Sequence, residues 1–349
     1  MCSRRWPARW RRRTPWTRRR RRSSRCWKGR ETLPETTTLT PTQAGPPADP
    51  VAARRPARRG SATRRTRRIA VLFILPAAAY VVIFHLFPLA YGLYLSFTNY
   101  DPQSRSGPQP VGISNYTKIL TDPVFLSSLA VTGKYVLYVL PGAVGLALVL
   151  ALLVNRSRRG IGFFRTALYV PHVVSLTAVS MVWLWLYSPQ GWFNQILGRF
   201  GAEPKQFLLE SSSALGAVAV MRIWKALGGN MVLLLAGLQS ISRELYEAAA
   251  VDGAGRWAQF RYVTLPGLRG MLTYVVVTDI VYLAQSFGEI YVLTRGGPVD
   301  STTTVNFLIY KQAFQFNDMG TASAMGFVLF ALISAVAFVS LRQMMRTRS

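Results

Sequence analysis

Residues 240–270 read SISRELYEAAAVDGAGRWAQFRYVTLPGLRG and form a polar segment between two long apolar runs. Ser242 can accept hydrogen bonds from the first free amides of a helix, and the residues after it are mostly good helix formers. Gly253 can adopt the left-handed conformation that ends such a helix. A second short helix can follow over residues 256–263, before Pro266 removes an amide from the next turn. The segment therefore predicts two short helices joined by a tight turn.

The rest of the chain is apolar enough for a membrane protein. Of its 349 residues, 50% are hydrophobic and 16% are charged, and the mean hydropathy is +0.20. Six apolar runs are long enough to cross a bilayer core, which needs about 20 helical residues. They cover about residues 69–97, 129–154, 166–187, 214–239, 266–293 and 321–342. The sequence thus predicts an all-α polytopic protein with a six-span domain over residues 69–345 and a helix-turn-helix segment, residues 240–265, between spans four and five.

Positive charge is concentrated before the first span. The formal net charge is +28, and residues 1–68 contribute +19 of it through 22 Lys and Arg against three acids. This region has no apolar periodicity and so lacks material for a core, and it contains both cysteines, Cys2 and Cys26. Two interpretations are an arm that binds anionic lipid or nucleic acid and a solvated cytoplasmic tail. We favour a disordered tail and expect no nucleic-acid partner.

Loop charges predict the orientation of the spans. With the N-terminus inside, the two inner loops and the C-terminal segment carry 11 basic residues, whereas the three outer loops carry six basic and six acidic residues. Basic residues are retained on the cytoplasmic side of a membrane. We therefore expect a multi-pass protein of the cell membrane with both termini, and residues 240–265, in the cytoplasm.

Polar residues in the fifth predicted span recur every three or four positions, which places them on one helical face. They are Asp279, Tyr282, Gln285, Ser286 and Glu289. A charged group at the bilayer centre costs roughly 2.5 to 3.5 kcal/mol, so this face should meet protein or water rather than lipid. Two interpretations remain open. One is an aqueous path in which Tyr282, Gln285 and Ser286 bind sugar hydroxyls, and the other is a set of hydrogen bonds that hold helices together.

Asn230 is a further candidate for the path, because it follows the two glycines at residues 228–229 in the fourth predicted span. We expect these glycines to break the helix. Exposed backbone groups at membrane depth are tolerated only beside a cavity. For Asp279 we consider structural pairing with Arg222 or Lys225.

The sequence lacks the residue patterns of an enzyme. No Gly-x-x-x-x-Gly-Lys-Ser/Thr loop occurs that could bind ATP phosphates. Nor does the sequence pair a nucleophile with a base or group a set of metal ligands. We therefore expect a non-enzymatic protein without a cofactor or metal, whose energy source is another chain.

The polar segment resembles the EAA loop of ABC importer permeases. The matching residues are Glu247, Ala248, Ala249, Asp252, Gly253, Ala254, Leu265 and Pro266. In that family the loop is a coupling helix that docks into a groove on a separate cytoplasmic ATPase subunit. The resemblance implies that Glu247, Ala248, Ala249, Asp252, Gly253 and Pro266 couple this chain to such a subunit. These residue types suit a contact between two subunits, since alanine permits close approach and a carboxylate accepts strong hydrogen bonds.

The likeness covers roughly residues 67–345 and extends to the carbohydrate-importing branch of the family. Motifs similar to the MalF and UgpA type of permease are Ser96-Phe-Thr-Asn-Tyr, Gly112-Ile-Ser-Asn-Tyr, Arg159-Gly-Ile-Gly-Phe-Phe-Arg and Leu235-Ala-Gly-Leu-Gln-Ser-Ile. Permeases of that type pair with a MalG-like permease, two ATPase subunits and an extracytoplasmic sugar-binding protein. The resemblance implies ATP-driven import of a sugar by alternating access.

Two rival functions stay open at the level of sequence. An ion-coupled secondary transporter would place coupling carboxylates at the path, where Asp279 and Glu289 are the candidates. A membrane scaffold or nucleic-acid tether would instead use the arginine-rich residues 1–68. Uptake that follows an ion gradient, rather than ATP, would favour the first of these.

Overall fold

The computed structural model describes residues 64–105, 107–155 and 160–346, and most of the predicted tail lies outside the described residues. Its helices, in chain order, are α1 Arg64–Val81, α2 Phe87–Ser96, α3 Ser114–Thr121, α4 Pro123–Val154, α5 Ile161–Val173, α6 Leu176–Leu186, α7 Trp192–Arg199, α8 Ala214–Gln239, α9 Arg243–Val251, α10 Arg256–Gln259, α11 Leu265–Gly267, α12 Arg269–Ala284, α13 Gly288–Leu293, α14 Val305–Tyr310 and α15 Met319–Arg346. Two short strands, β1 (Thr98–Asn99) and β2 (Gln109–Pro110), pair antiparallel.

Four helical stretches are long and apolar enough to cross a membrane. They are Val71–Ser96, which contains α2 and most of α1, together with α4, α8 and the first 22 residues of α15. Two bent pairs, α5 with α6 and residues 256–267 with α12, raise the number to six if each pair forms one span. The described chain therefore has four to six candidate spans.

Two prolines inside helical stretches follow a widened turn. A π-helical turn over Val82–Leu86 precedes Pro88, and another over Phe260–Thr264 precedes Pro266. Proline has no amide to continue the α-helical ladder, so the chain adjusts its hydrogen-bond register just before the ring. The second predicted helix of the polar segment consequently does not stop before Pro266. It continues to α11 and bends by 64° into α12.

The contact between α4 and α8 forms much of the core. Asp122 Oδ1 accepts the Val124 amide at 2.9 Å, so α4 starts at Pro123, before the predicted start near residue 129. Its buried residues recur every four positions: Tyr135, Val139, Ala143, Ala147 and Ala151. They belong to the same clusters as Val218, Met221, Met231 and Leu234 of α8. The alanines allow the two backbones to approach closely.

The helix break expected in the fourth span is absent, since α8 is continuous through Gly228, Gly229 and Asn230. The bend occurs instead in the third predicted span, where α5 and α6 meet at 96°. A Cβ on Gly228 would contact the carbonyl oxygen of Leu168 in α5. The glycine pair therefore provides space for a neighbouring helix rather than a break, and that expectation was wrong.

The fifth predicted span is interrupted. It does not run as one helix over residues 266–293, because α12 ends at Ala284 and α13 begins at Gly288. Three predicted loops also contain short helices, namely α3, α7 and α14. These departures place Gln285 and Ser286 at a helix break, beside the cavity described next.

Candidate functional site

A cavity of about 710 Å³ lies between α5, α8, α12 and the break before α13. All four residues predicted to line a path contribute to its wall: Asn230, Tyr282, Gln285 and Ser286. Asn230 and Ser286 are buried, whereas Tyr282 exposes 63% of its surface and Gln285 is also exposed. The polar spacing of the fifth predicted span therefore selected Tyr282, Gln285 and Ser286, which line one cavity, whereas Asn230 was selected from the glycines of the fourth span.

Asn230 and Asp279 form a hydrogen-bonded pair on this wall. Asn230 Nδ2 donates to Asp279 Oδ2 at 2.6 Å, linking α8 to α12. The pairing of Asp279 with Arg222 or Lys225 considered from the sequence is therefore not what the structure has. Both of those cations also line the cavity, and each has its own partner.

Arg222 pairs with Glu289. Arg222 Nε lies 4.0 Å from Glu289 Oε1, and Tyr135 donates its hydroxyl hydrogen to the same oxygen at 3.0 Å. Glu289 has a side-chain exposure of 1%, so it needs these partners to offset the loss of hydration. The carboxylate thus joins α4, α8 and α13 at one end of the cavity.

Lys225 holds the end of α5. Its ammonium Nζ donates to the carbonyl oxygens of Pro171, His172 and Val174 at 3.1, 3.2 and 2.6 Å. The last carbonyls of a helix have no helical amide to accept, so a lysine there both supplies donors and suits the negative end of the helix dipole. These contacts use all three ammonium hydrogens.

Side chains replace helical amides at the break between α12 and α13. Asn306 Nδ2 donates to the Gln285 carbonyl at 2.8 Å, and the Thr304 hydroxyl donates to the Ser286 carbonyl at 2.9 Å. The Gln285 side-chain amide itself donates to the Val281 carbonyl at 3.2 Å. Interrupted backbone at membrane depth is tolerated only when such partners exist. This break could not be predicted from the sequence, because its partners lie in α14 and in the residue just before it.

Several cavity residues were missed by the sequence reasoning. On α12, Tyr274 and Thr278 precede Tyr282 at intervals of four residues, so they continue the face already identified. On α5, Tyr169 and His172 form the facing wall. The helical spacing could have revealed the first two. The α5 pair depends on the 96° bend, which has no clear sequence signal.

The polar segment contains the short helices α9, α10 and α11. Ser242 Oγ accepts the Glu244 amide at 3.3 Å and caps α9. Gly253 has φ of +77°, and its amide donates to the Ala250 carbonyl at 3.1 Å, while the Ala254 amide donates to the Ala249 carbonyl at 2.8 Å. This pair of bonds is a Schellman motif, which ends α9 and turns the chain toward α10.

Much of this segment is exposed. Glu247, Ala248, Asp252, Gly253 and Pro266 are exposed, and Ala249 is half-buried. The exposed large apolar side chains of the segment are Leu245, Val251, Trp257 and Tyr262. Tyr246 and Thr264 join the two helical parts through their hydroxyl groups at 3.0 Å. A braced segment that presents apolar side chains is typical of a surface that contacts another protein.

Apolar helices around a cavity that carries polar side chains, with an exposed pair of short helices, are the arrangement expected of a multi-pass membrane permease. The chain belongs to the family described as binding-protein-dependent transport system inner membrane component, whose family model matches residues 143–347. The resemblance to ABC importer permeases found in the sequence is thereby confirmed. Members of this family are transporter components rather than catalytic enzymes.

Curated relatives match most of the chain. It is 34% identical over 277 residues to the sulfoquinovosyl glycerol transport system permease protein SmoG of Agrobacterium fabrum, which covers 79% of this chain and 90% of that protein. It is 33% identical over 280 residues to the sn-glycerol-3-phosphate transport system permease protein UgpA of Brucella abortus, covering 79% and 94%. The lactose transport system permease protein LacF of Rhizobium radiobacter is 32% identical over 275 residues, covering 77% and 91%.

A solved structure shares the fold. A chain from the crystal structure of a bacterial ABC transporter involved in the import of the acidic polysaccharide alginate has a TM-score of 0.70 and 23% identity. The match covers 81% of this chain and 98% of that chain. At this identity the match shows a common fold.

The family match, more than the cavity, argues against the ion-coupled alternative. Glu289, with 1% of its side chain exposed, is enclosed by Tyr135 and Arg222. Asp279 accepts a hydrogen bond from Asn230 but also lines the cavity and keeps other lone pairs. Family membership also indicates dependence on a binding protein.

Proposed function

We propose that this chain is the permease subunit of an ATP-driven ABC importer that translocates a sugar or sugar derivative. The observation that carries the proposal is the cavity of about 710 Å³, which has hydroxyl, amide, imidazole and phenol groups among apolar helices. Sugars are bound through many hydroxyl hydrogen bonds and through contact with aromatic faces. The relatives named for sulfoquinovosyl glycerol, sn-glycerol 3-phosphate and lactose support this substrate class.

The cavity has the groups that such a ligand needs. Tyr169, Tyr274 and Tyr282 offer ring faces, and Asn230, Gln285 and Ser286 offer polar atoms between them. Aromatic side chains supply apolar area together with a polar tip, so they suit ligands that alternate C–H and O–H groups. Asn230, Tyr282, Gln285 and Ser286 are therefore our candidates for substrate contact along the path.

We assign six spans to the membrane domain, residues 69–345. They are the α1–α2 stretch, α4, the α5–α6 pair, α8, α12 continued by α13, and α15. We assign α10 and most of the bent stretch before α12 to the coupling segment rather than to the fifth span. Six spans place both termini on one side, and the 11 basic residues of the inner loops and C-terminal segment support a cytoplasmic location for both. The exposed apolar residues of the α1–α2 stretch would then contact membrane lipid.

The segment from α9 to α11 would be the coupling site for an ATPase subunit. Glu247 and Ala248 are exposed on α9, and Gly253 sets the angle between α9 and α10. Trp257 stacks on Phe260 with ring centroids 5.5 Å apart and keeps 74% of its surface exposed. Closure of the ATPase subunits on ATP would push on this segment and tilt α12 against α8. Helix tilting would open the cavity to alternate sides of the membrane.

The assembly would contain two ABC ATPase subunits, a second MalG-like permease and an extracytoplasmic sugar-binding protein. Family membership supports the binding protein directly. A cavity whose lining includes exposed side chains such as Tyr282 and Gln285 is also consistent with a second permease facing it. Residues 1–68 would remain a solvated cytoplasmic tail without a nucleic-acid partner, so deletion of residues 1–50 should leave uptake unchanged.

Gentle purification of the tagged chain from its own membranes, followed by mass spectrometry, tests the assembly. Recovery of an ATPase and a second permease is the expected result. A matched variant, Glu247→Ala, should lose the ATPase while it keeps the second permease, because Glu247 lies on α9 rather than among the membrane helices. Purification of the wild-type chain alone, or as a homo-oligomer, would contradict the proposal.

A further inference from the structure

His172 lies in the last turn of α5 and is one of two histidines in the chain. Its imidazole is exposed and lines the cavity beside Tyr169, with ring centroids 5.6 Å apart. An ionisable side chain within a membrane span is costly unless it faces protein or water. The location of His172 on the cavity wall therefore points to a role in that cavity.

The backbone of His172 is fixed to α8. Lys225 Nζ donates to the carbonyl oxygen of His172 itself and to those of Pro171 and Val174 on either side. Directly after these residues the chain bends by 96° into α6. Of α6 only the first residue, Leu176, lines the cavity, whereas Tyr169 and His172 of α5 both do. The bend and the lysine together present the imidazole to the cavity.

The imidazole ring packs on a glycine. A Cβ at Gly229 would lie 2.5 to 2.9 Å from the Cε1, Nδ1 and Nε2 atoms of His172, so no other residue type fits beneath the ring in this position. The preceding Gly228 faces backbone instead, since a Cβ there would contact the Leu168 carbonyl and lie 2.8 Å from the Tyr169 Cα. The two glycines therefore have separate roles: Gly228 leaves space for the backbone of α5, and Gly229 leaves space for the imidazole ring.

We propose that His172 is a substrate-binding residue that hydrogen-bonds a hydroxyl-rich ligand opposite Tyr282, and that Gly229 and Lys225 are positioning residues that seat its ring. This inference rests on the proposed transport of a sugar, which it deepens by adding a binding residue on the second wall. A neutral imidazole has one donor and one acceptor nitrogen and so can bind a hydroxyl in either sense. Neither the spacing of the fifth span nor the coupling segment predicts this role.

A double variant of residues 172 and 229 tests whether Gly229 positions the imidazole of His172. Uptake of radiolabelled lactose and sn-glycerol 3-phosphate is measured in cells that produce the complete transporter, and uptake is normalised to the amount of the chain in the membrane. His172→Ala should lower uptake by about tenfold, the loss expected from one hydrogen bond to substrate. Gly229→Ala should lower it as well. The double variant should match His172→Ala alone, because removal of the ring leaves space for the added methyl group.

Gly228→Ala is the matched control. Its added methyl group meets backbone rather than the imidazole, so His172→Ala should not relieve its defect. Full uptake by His172→Ala would overturn the binding role. Lower uptake by the double variant of residues 172 and 229 than by His172→Ala would show that Gly229 serves helix packing. That result would overturn its role in positioning the imidazole.

Diethyl pyrocarbonate, which modifies imidazoles, gives a second readout in membranes. Mass spectrometry follows His172, with His85 in the first candidate span as the internal reference. Lactose or sn-glycerol 3-phosphate, whichever is taken up, should slow modification of His172 and not of His85. Lack of protection by a compound that is taken up would overturn the inference. If neither compound is taken up, the carbohydrate proposal fails for these compounds. The positioning of the imidazole by Gly229 is then tested by the rate at which diethyl pyrocarbonate modifies His172. Gly229→Ala must change that rate, and an unchanged rate overturns the positioning role.

Discussion

Asn230 Nδ2 donates to Asp279 Oδ2 at 2.6 Å, and this bond joins α8 to α12 at the wall of the cavity. Asn230 is buried and Asp279 is half-buried, so water in the cavity can replace the amide only in part as a partner for the carboxylate. Replacement of Asn230 with Leu should therefore leave Asp279 inadequately paired. The cost of an uncompensated polar group in such a site is about 1 to 3 kcal/mol or more. We expect a lower melting temperature in detergent and loss of uptake.

A swapped pair gives the control for that prediction. Asn230→Asp alone places two carboxylates side by side and should be at least as damaging as the leucine. The double variant Asn230→Asp with Asp279→Asn restores one amide and one carboxylate and should recover thermal stability. If the double variant melts no higher than Asn230→Asp alone, the hydrogen bond between residues 230 and 279 does not stabilise the contact between α8 and α12.

Removal of the Lys225 ammonium should destabilise the bent pair of helices. Lys225→Met keeps the length of the side chain but leaves the carbonyls of Pro171, His172 and Val174 without their donor. These carbonyls are partly buried, so each one that loses its partner should cost up to about 1 kcal/mol. Lys225→Arg retains donors and should lose less stability than the methionine. Equal thermal unfolding of Lys225→Met and wild type in detergent would contradict this role.

Substitution of Gly253 tests the turn between α9 and α10. Its φ is +77°, and a Cβ there would meet no atom within 4 Å, so the effect of a side chain comes from backbone strain alone. Gly253→Val should cost about 1 to 2 kcal/mol in this left-handed conformation and change the angle of the segment. We expect the variant to reach the membrane and to lose uptake.

Gly255→Ala is the matched control on the same turn. Gly255 has φ of −67° and ψ of 170°, which alanine adopts easily, and it also has open space around its Cβ position. The control should transport normally. Normal uptake by Gly253→Val would remove the proposed coupling role from this turn.

Acidification should loosen the segment around Asp300. The Thr303 hydroxyl donates to Asp300 Oδ1 at 2.9 Å and lowers the pKa of that carboxyl, and Lys311 at 3.2 Å lowers it further, against a smaller opposing effect of partial burial. A lowered folded-state pKa stabilises the fold above the ordinary pKa of about 4, and this contribution is lost as pH falls through the folded-state value. The protection factors of the amides over residues 296–304, which correct for the pH dependence of intrinsic exchange, should therefore fall on acidification below about pH 4.

Asp300→Asn removes the titrating group, so the protection factors over the same residues should depend less on pH in this variant. Thr303→Ser keeps the hydroxyl donor and should resemble the wild type. Because Asp300 is largely exposed, we expect a local effect without global unfolding. Identical pH profiles for wild type and Asp300→Asn would contradict the prediction.

Sequence reasoning worked best where the information is local. Ser242 and Gly253 predicted the start and the end of α9, because a cap and a left-handed turn depend on adjacent backbone atoms. The three- and four-residue spacing of Asp279, Tyr282 and Ser286 predicted residues that do line a common cavity. The family resemblance drew on the same local motifs and is confirmed by the family match.

Predictions from the sequence were wrong where the conformation of a helix depends on which other helix packs against it. Gly228 and Gly229 were expected to break α8, whereas they allow α5 to approach it. The absence of a Cβ permits either result, and only the neighbouring helix selects between them. Likewise, the break after α12 is stabilised by Thr304 and Asn306, whose distance from it in space cannot be read from the chain.

The sequence by itself determined the apolar helices, the short-helix segment and the family, because hydropathy, caps and turn residues act over a few positions. Tertiary structure alone decided where the helices bend and which polar side chains meet. Those outcomes follow from buried hydrogen bonds such as Lys225 to the end of α5 and Asn230 to Asp279, whose partners are about 50 residues apart in the chain. A polar group at membrane depth must find a partner, and the fold determines which one it finds.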